Sequence, residues 1–338
     1  MSGLLARVRL GVVAACVAIS CSAPLPSLAA DDVLARVRAR GVVRCASIVR
    51  PGIAVPTADG KHWYGIAPDI CRAVAAAVLG APDLISFRAY FGVPVAGGTI
   101  DDADDIVFLS GRELVGETGQ AAGDLELGPV VLHDSLALLV PAASHVTHVK
   151  QLGTKSVCVE PGSRSDRALE GYFTHHAIAL REHPFEETDE MREAYGDGRC
   201  DALAGPLTTL ASIRADPEEG HRADRILPEV LADDPIFAAT PQDAHWARTV
   251  WWVFSVLVDA EDALVKAHGR DSAIAAVPPA AGTELGLAAG WESRALNAGG
   301  NYGELFDRDL GAGSRLRLAR GANALWRNGG LIVGLRFD

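Results

Sequence analysis

With 43 acidic side chains against 31 basic ones, the 338-residue chain carries a formal charge of −12. Such a surface repels polyanions, so no nucleic-acid partner is expected. The most apolar run after the N-terminus, Thr249 to Val258 within "TVWWVFSVLV", is far too short to cross a bilayer.

Residues 1–30 read as a signal peptide. Arg7 and Arg9 form a basic start, Leu10 to Ser20 a short apolar core, and "PSLAA" offers cleavage after Ala29 or Ala30. A lipid anchor at Cys21, after "AIS", is the competing reading. Cleavage removes two arginines and no acid, taking the charge from −12 to −14. It also removes Cys16 and Cys21, leaving Cys45, Cys71, Cys158 and Cys200. An even set in an exported chain points to disulfides, and spacing alone leaves every pairing open. The remaining chain, about 308 residues, is long enough for two lobes.

In chain order, "DDVLARVRARG" predicts a short helix stopped by Gly41, and "VVRCASI" a strand ending near Ser47. "PTADGKHWYG" is turn-rich, with Asp59-Gly60 as a hairpin signal. "PDICRAVAAAVLG" places Ile70, Val74, Ala77 and Val78 on one helical face before Gly80. "DLISFRAY" and "DDIVFLS" predict further strands of one sheet, and "SLALLVP" a strand stopped by Pro141. "KSVCVEPGSRSDRALEGYF" reads as strand, tight turn and helix, followed by a polar helix, "EETDEMREAYGDG", and a strand, "RCDALAG". This alternation predicts α/β architecture with parallel strands. "AHWARTVWWVFSVLVDAEDALV" is a helix with Trp246, Val250, Phe254 and Leu257 on one face. The tail predicts another helix, from about Arg315 to Trp326.

Several segments carry a family resemblance in a fixed order: "GVVRCAS", "DICRAVAAAVLGAP", "SVCVEPGS", "EAYGDGRCDAL", "ILPEVLADDP" and "GNYGELFDRDLGAGSRLRLARGANALWRNGGL". The chain resembles the periplasmic solute-binding proteins of ABC importers, in the polar and general L-amino-acid branch. That resemblance implies a two-lobed periplasmic binding protein fold of α/β class, with crossings near Leu139 to Ala142 and Asp233 to Ala239. Lobe 1 would comprise residues 31–140 and 233–338, and lobe 2 residues 141–232. It implies within-lobe disulfides, Cys45–Cys71 and Cys158–Cys200. It also implies hinge closure on a small-molecule ligand, an inner-membrane ABC transporter permease as partner, and a monomer with neither cofactor nor metal.

An amino-acid site needs a cation for the carboxylate and an acid for the ammonium. The register in which relatives hold these groups falls on Val115 and Pro206, which carry no charge. In "GIAPD", Ala67 replaces one family acid and Asp69 keeps the other. The lobe-1 strand tip offers Ser110, Gly111 and Arg112, with Arg112 three positions before the family register. The turn Gly162, Ser163, Arg164, Ser165 opens a helix whose N–H groups favour an anion. Arg164 could replace the missing arginine from the opposite lobe, or be a solvated first-turn residue. Ser47, Arg50 and Trp63 lie on lobe-1 loops that face the cleft in the family, and Gly205 ends the "DALAG" strand beside Pro206. His145, His148, His175 and His176 read as surface residues, and "GAGS" lacks a phosphate-loop lysine.

Three functions compete. The first is a solute-binding protein for an amino acid or another small anion. The second is an accessory or sensory protein of the same fold that binds a protein partner. The third is an enzyme, for which Glu113, Glu160 and Asp166 are the available acids, without a spacing that argues for catalysis. The order given is the order of preference, and no enzyme is expected.

Overall fold

The computed structural model describes residues 32–90, 104–111, 125–216, 223–264 and 279–335. Two mixed sheets flanked by helices build a two-lobed α/β fold. In the first, Ile85–Ala89, Val43–Ser47, Ile106–Ser110 and Pro235–Pro241 lie side by side, and both Leu125–Glu126 and Val130–His133 pair with the last of them. In the second the order is Arg181–Pro184, Ser156–Val159, Ala202–Pro206, Leu136–Val140 and Arg225–Ile226. The first three strands of each sheet are parallel, and the next is antiparallel to its neighbour.

The apolar run of Ile106–Ser110 follows from covering both faces of a central strand. Ile106 and Phe108 enter the large core, while Val107 and Leu109 pack with Ala46, Tyr90 and Ala239 on the other side. Helix Ala244–Asp262 buries Trp246, Val250, Phe254 and Leu257 in that large core, each side chain worth about 1.5–3 kcal/mol. Its cap is Asp243, which accepts from the N–H groups of His245 and Trp246 at 2.9 and 3.1 Å. The other Asp243 oxygen accepts from Val33 N–H at 2.8 Å, so one side chain starts two helices.

Disulfides join Cys45 to Cys71 and Cys158 to Cys200, the pairing the resemblance implies. The first ties a strand to helix Ile66–Leu79, and the second ties a strand to the segment just before Ala202–Pro206.

The outward passage lies ahead of its expected position, and the return falls at the start of its expected range. Leu136–Val140 pairs with Ala202–Pro206 and Arg225–Ile226 of the second sheet, so the outward passage lies at Asp134 and Ser135, ahead of Leu139 to Ala142. Pro235–Pro241 already belongs to the first sheet, so the return ends at Asp234. The passages run side by side. Asp134 N–H donates to Asp234 O at 3.0 Å and Leu136 N–H to Ala232 O at 2.8 Å. His133 Nδ1 lies 2.7 Å from Asp233 Oδ2, and Ser135 Oγ donates to Asp233 Oδ1 at 3.2 Å. The Asp134 carboxylate joins both lobes, accepting from Thr208 N–H and Oγ at 2.9 Å each and from Arg50 Nη1 at 3.0 Å.

The tail departs from its expected helix. Residues 315–326 form turns and a 3-10 turn, Gly321–Asn323. Arg317 and Gly321 take left-handed φ values of 48° and 49°, which stop a right-handed helix. The tail's helices lie upstream, at Trp291–Gly299 and Tyr302–Asp309, the second opened by a capping box between Asn301 and Glu304. Asn323 then holds the strand end at His133, accepting from its N–H at 2.7 Å and donating to its carbonyl at 2.9 Å.

Asp69, the retained acid of "GIAPD", is structural. It pairs with Arg72 on its own helix and with Arg308 of Tyr302–Asp309. Beside it, burial and the Asp69 charge push the Asp309 carboxyl up to about 8 from an ordinary 3.8.

Two measurements probe these polar supports. Asp134→Ala should cost about 3–5 kcal/mol in urea denaturation, because it strands the groups that converge on a fully buried carboxylate. A loss under about 0.5 kcal/mol, typical of surface positions, would contradict the bridging role. For Asp309, the folded state binds its proton more tightly than the unfolded chain. This group's contribution to stability is therefore full below pH 3.8 and falls as pH rises toward about 8. Asp309→Asn should remove that part of the pH slope, and an unchanged slope would contradict the assignment.

Candidate functional site

A cleft of about 530 Å³ opens at the junction of the two lobes. The first lobe contributes Ile48, Val49, Arg50, Tyr90 and Ser110, and the second contributes Ser163, Arg164, Ser165, Met191, Gly205, Pro206 and Leu210. Asp234 lines it from the return passage and Leu136 from the strand after the outward one. Strand ends and a helix N-terminus converge here because parallel strands direct their C-terminal ends to one edge, where ligands gather in open α/β sheets.

Among the sequence candidates, Ser110, Arg50, Ser163, Arg164, Ser165 and Gly205 face the cleft. A Cβ on Gly205 would sit 3.2 Å from Leu210 Cδ2, so the bare backbone keeps this wall open. Ser47 is fully buried, its hydroxyl donating to Ile48 O at 3.2 Å. Trp63 lies away from the cleft lining. It is only 9% exposed, packs 5.1 Å from Phe87 between ring centroids, and gives its carbonyl to Arg72. The hairpin turns the indole into the lobe, so burial takes the place of ligand stacking.

Gly111 follows the strand and lies outside the lining; a Cβ there would sit 3.8 Å from Phe237 Cε2. Arg112, Glu113 and Val115 lie outside the described residues. Gly162, at φ 70°, shapes the turn, and its N–H donates to Asp166 Oδ2 at 2.6 Å. Glu160 lines the cleft. The histidines sit elsewhere: His148 meets Glu229 at 2.8 Å, and His176 stacks on Tyr172 at 4.1 Å.

Arg164 has a defined partner. As the first residue of helix Arg164–His175, capped by Ser163, its guanidinium is placed against the return passage. Nη1 forms an ion pair with Asp234, and Nη2 donates to Asp233 O at 3.3 Å. The Asp234 side chain is 3% exposed. Arg50 is matched similarly with Asp134. Arg50 and Arg164 thus each meet an aspartate of an interlobe passage, while Arg192, a further arginine of the lining, pairs with Asp189 on its own helix.

The sequence reading missed Asp134 and Asp234. "ADDP" was visible as a family segment, but its second acid gains meaning only beside an arginine 70 positions earlier. Behind it, burial pushes the Asp233 carboxyl up, while hydrogen bonds and charge from His133, with Ser135, outweigh burial and hold it below its ordinary value. Since Asp233 is then ionised at neutral pH, Nδ1 of His133 must be the donor.

No protein-family model matches the chain. It is 30% identical over 326 residues to the general L-amino acid-binding periplasmic protein AapJ of Rhizobium johnstonii, covering 90% of this chain and 92% of the relative. It is also 30% identical over 341 residues to the glutamate/glutamine/aspartate/asparagine-binding protein BztA of Rhodobacter capsulatus, covering 94% and 97%. Among solved structures, an ABC transporter periplasmic binding protein from Brucella ovis with glutathione bound superposes with a TM-score of 0.71. It is 27% identical, covering 91% of this chain and 99% of that one. With that coverage and a cleft built between two α/β lobes, the chain belongs to the family of periplasmic amino-acid-binding proteins of ABC transporters.

Proposed function

We propose that the chain captures a small solute bearing an α-amino-acid head in the interlobe cleft and hands it to an inner-membrane ABC transporter permease. The observation that carries this reading is the cleft itself. Apolar walls enclose a charged pair, Arg164 and Asp234, where the two passages meet. Pockets of this kind use a few placed polar groups for orientation and apolar walls for affinity.

The relatives' names cover general L-amino acids and the acidic residues with their amides. The Brucella ovis structure holds glutathione, whose γ-glutamyl end keeps a free α-ammonium and α-carboxylate. A shared head with a variable body unites these ligands. The proposed lobes divide at the two passages, near Asp134 and Asp234. Residues 1–30 would direct export to the periplasm, where the protein would act as a monomeric binding component without enzymatic activity.

Thermal-shift titration of the purified mature protein with the L-amino acids and glutathione tests this. A true ligand at a hundred times its Kd should stabilise the protein by about 2.7 kcal/mol. No stabilisation by any member of the panel would overturn the transport reading.

A further inference from the structure

We propose that the protein has a second ligand site, a cavity behind the interlobe passages, and that this site takes a small apolar hydroxy acid. The inference is independent of what the cleft binds.

The cavity, of about 330 Å³, lies on the far side of the passages from the cleft. Alternation along the chain shows the separation. Ser135 and Ala137 line the cavity, while Leu136 between them lines the cleft. Helix Leu207–Ala215 likewise gives Thr208 and Arg214 to the cavity, and Leu210 and Ile213 to the cleft. Helix Tyr302–Asp309 and the tail after it supply further wall, with Phe306, Leu310 and Leu318. Two hydrogen bonds hold the tail there: Leu318 N–H donates to Leu310 O at 2.8 Å, and Arg214 Nη2 donates to Leu316 O at 2.7 Å. Size and apolar lining suit a small-molecule site, where a few polar groups fix orientation.

Most polar groups of the lining are already matched. Asp134 accepts from Thr208 and Arg50, and Ser135 donates to Asp233. Asn323 is committed to the main chain of His133, and Arg320 Nη2 meets both oxygens of Glu261 at 2.9 Å. Arg317 is exposed to solvent.

Two groups are left. His133 is 8% exposed, and its Nε2 is buried with no hydrogen-bond partner among the described residues. Because Nδ1 donates to Asp233, the neutral ring presents Nε2 as an acceptor. Arg214 is the other. Burial pushes its guanidinium down from the ordinary 12.5, and no acid among the described residues offsets that cost. A ligand O–H satisfies Nε2, a ligand carboxylate satisfies Arg214, and the apolar walls take the body that joins them. An apolar acid without the hydroxyl strands Nε2, and an apolar alcohol strands Arg214. Together the two groups define the ligand class.

The test is calorimetric titration of the purified protein with the ortho, meta and para isomers of hydroxyphenylacetate, whose hydroxyl and carboxylate lie at different separations. Phenylacetate lacks the hydroxyl, and the matching cresol lacks the carboxylate. At least one isomer should bind, with both controls weaker by roughly tenfold or more. His133→Asn keeps an N–H for Asp233 and removes the acceptor, so it should abolish the preference over phenylacetate. Arg214→Gln should abolish the preference over cresol. Ala319→Trp, at an exposed position of the lining, should block the isomer's binding, and Arg164→Gln in the cleft should leave it unchanged. Circular dichroism melts verify that each variant is folded.

No isomer binding tighter than about 1 mM overturns the site. Binding lost in Arg164→Gln and kept in Ala319→Trp assigns the probe to the cleft and also overturns it. Preferences unchanged in both His133→Asn and Arg214→Gln overturn the ligand class.

Discussion

The two passages between the lobes lie side by side, and the main-chain hydrogen bonds from Asp134 to Asp234 and from Leu136 to Ala232 hold them there. Strands leave and enter both sheets at this point, so four acidic or imidazole side chains, His133, Asp134, Asp233 and Asp234, are gathered in a small volume. Burying that much negative charge requires cations and donors from both lobes. Arg50 comes from the first lobe, while Arg164 and Thr208 come from the second. The placement of Arg50 and Arg164 in the cleft is a consequence of how the passages are paired.

This changes what an arginine in the cleft means. In an acidic protein, a cationic side chain beside the ligand site is easily taken for an anion receptor. Once its partner is identified, the electrostatic character becomes that of a matched pair, whose low net charge keeps polar groups inside an apolar pocket. The same logic operates away from the cleft. Asp69 is held by two arginines while Asp309 beside it is driven toward its neutral form, so the cluster avoids two adjacent uncompensated charges.

Local signals were legible where the physics was local. Val43–Ser47, Ile66–Leu79 and Ala244–Asp262 announce themselves through period, caps and terminating glycines. The strand at Leu136 to Val140 was readable as a strand, but not as a member of the second sheet, because membership depends on pairing with Ala202–Pro206 and Arg225–Ile226 far along the chain. The tail's apolar spacing suggested a helix, and left-handed residues at Arg317 and Gly321 broke it into turns that still bury Leu316 and Leu325. In the site, the helix-opening turn at Ser163 to Ser165 was visible because capping follows from neighbours in sequence. Asp234 was not, because its role is set by a partner on another lobe. Trp63 misled for a related reason: a hairpin indole carries no mark saying whether it turns to the cleft or to Phe87.

The two disulfides each close a loop inside one lobe, and among the described residues no covalent bond joins the lobes except the main chain at its two passages. A disulfide in each half therefore leaves the passages as the covalent link between them, and a ligand that bridges the cleft would act on the hydrogen bonds and ion pairs gathered there. Reducing agents would soften the halves while leaving the passages' own resistance untouched, separating two quantities that most single-core proteins cannot vary independently.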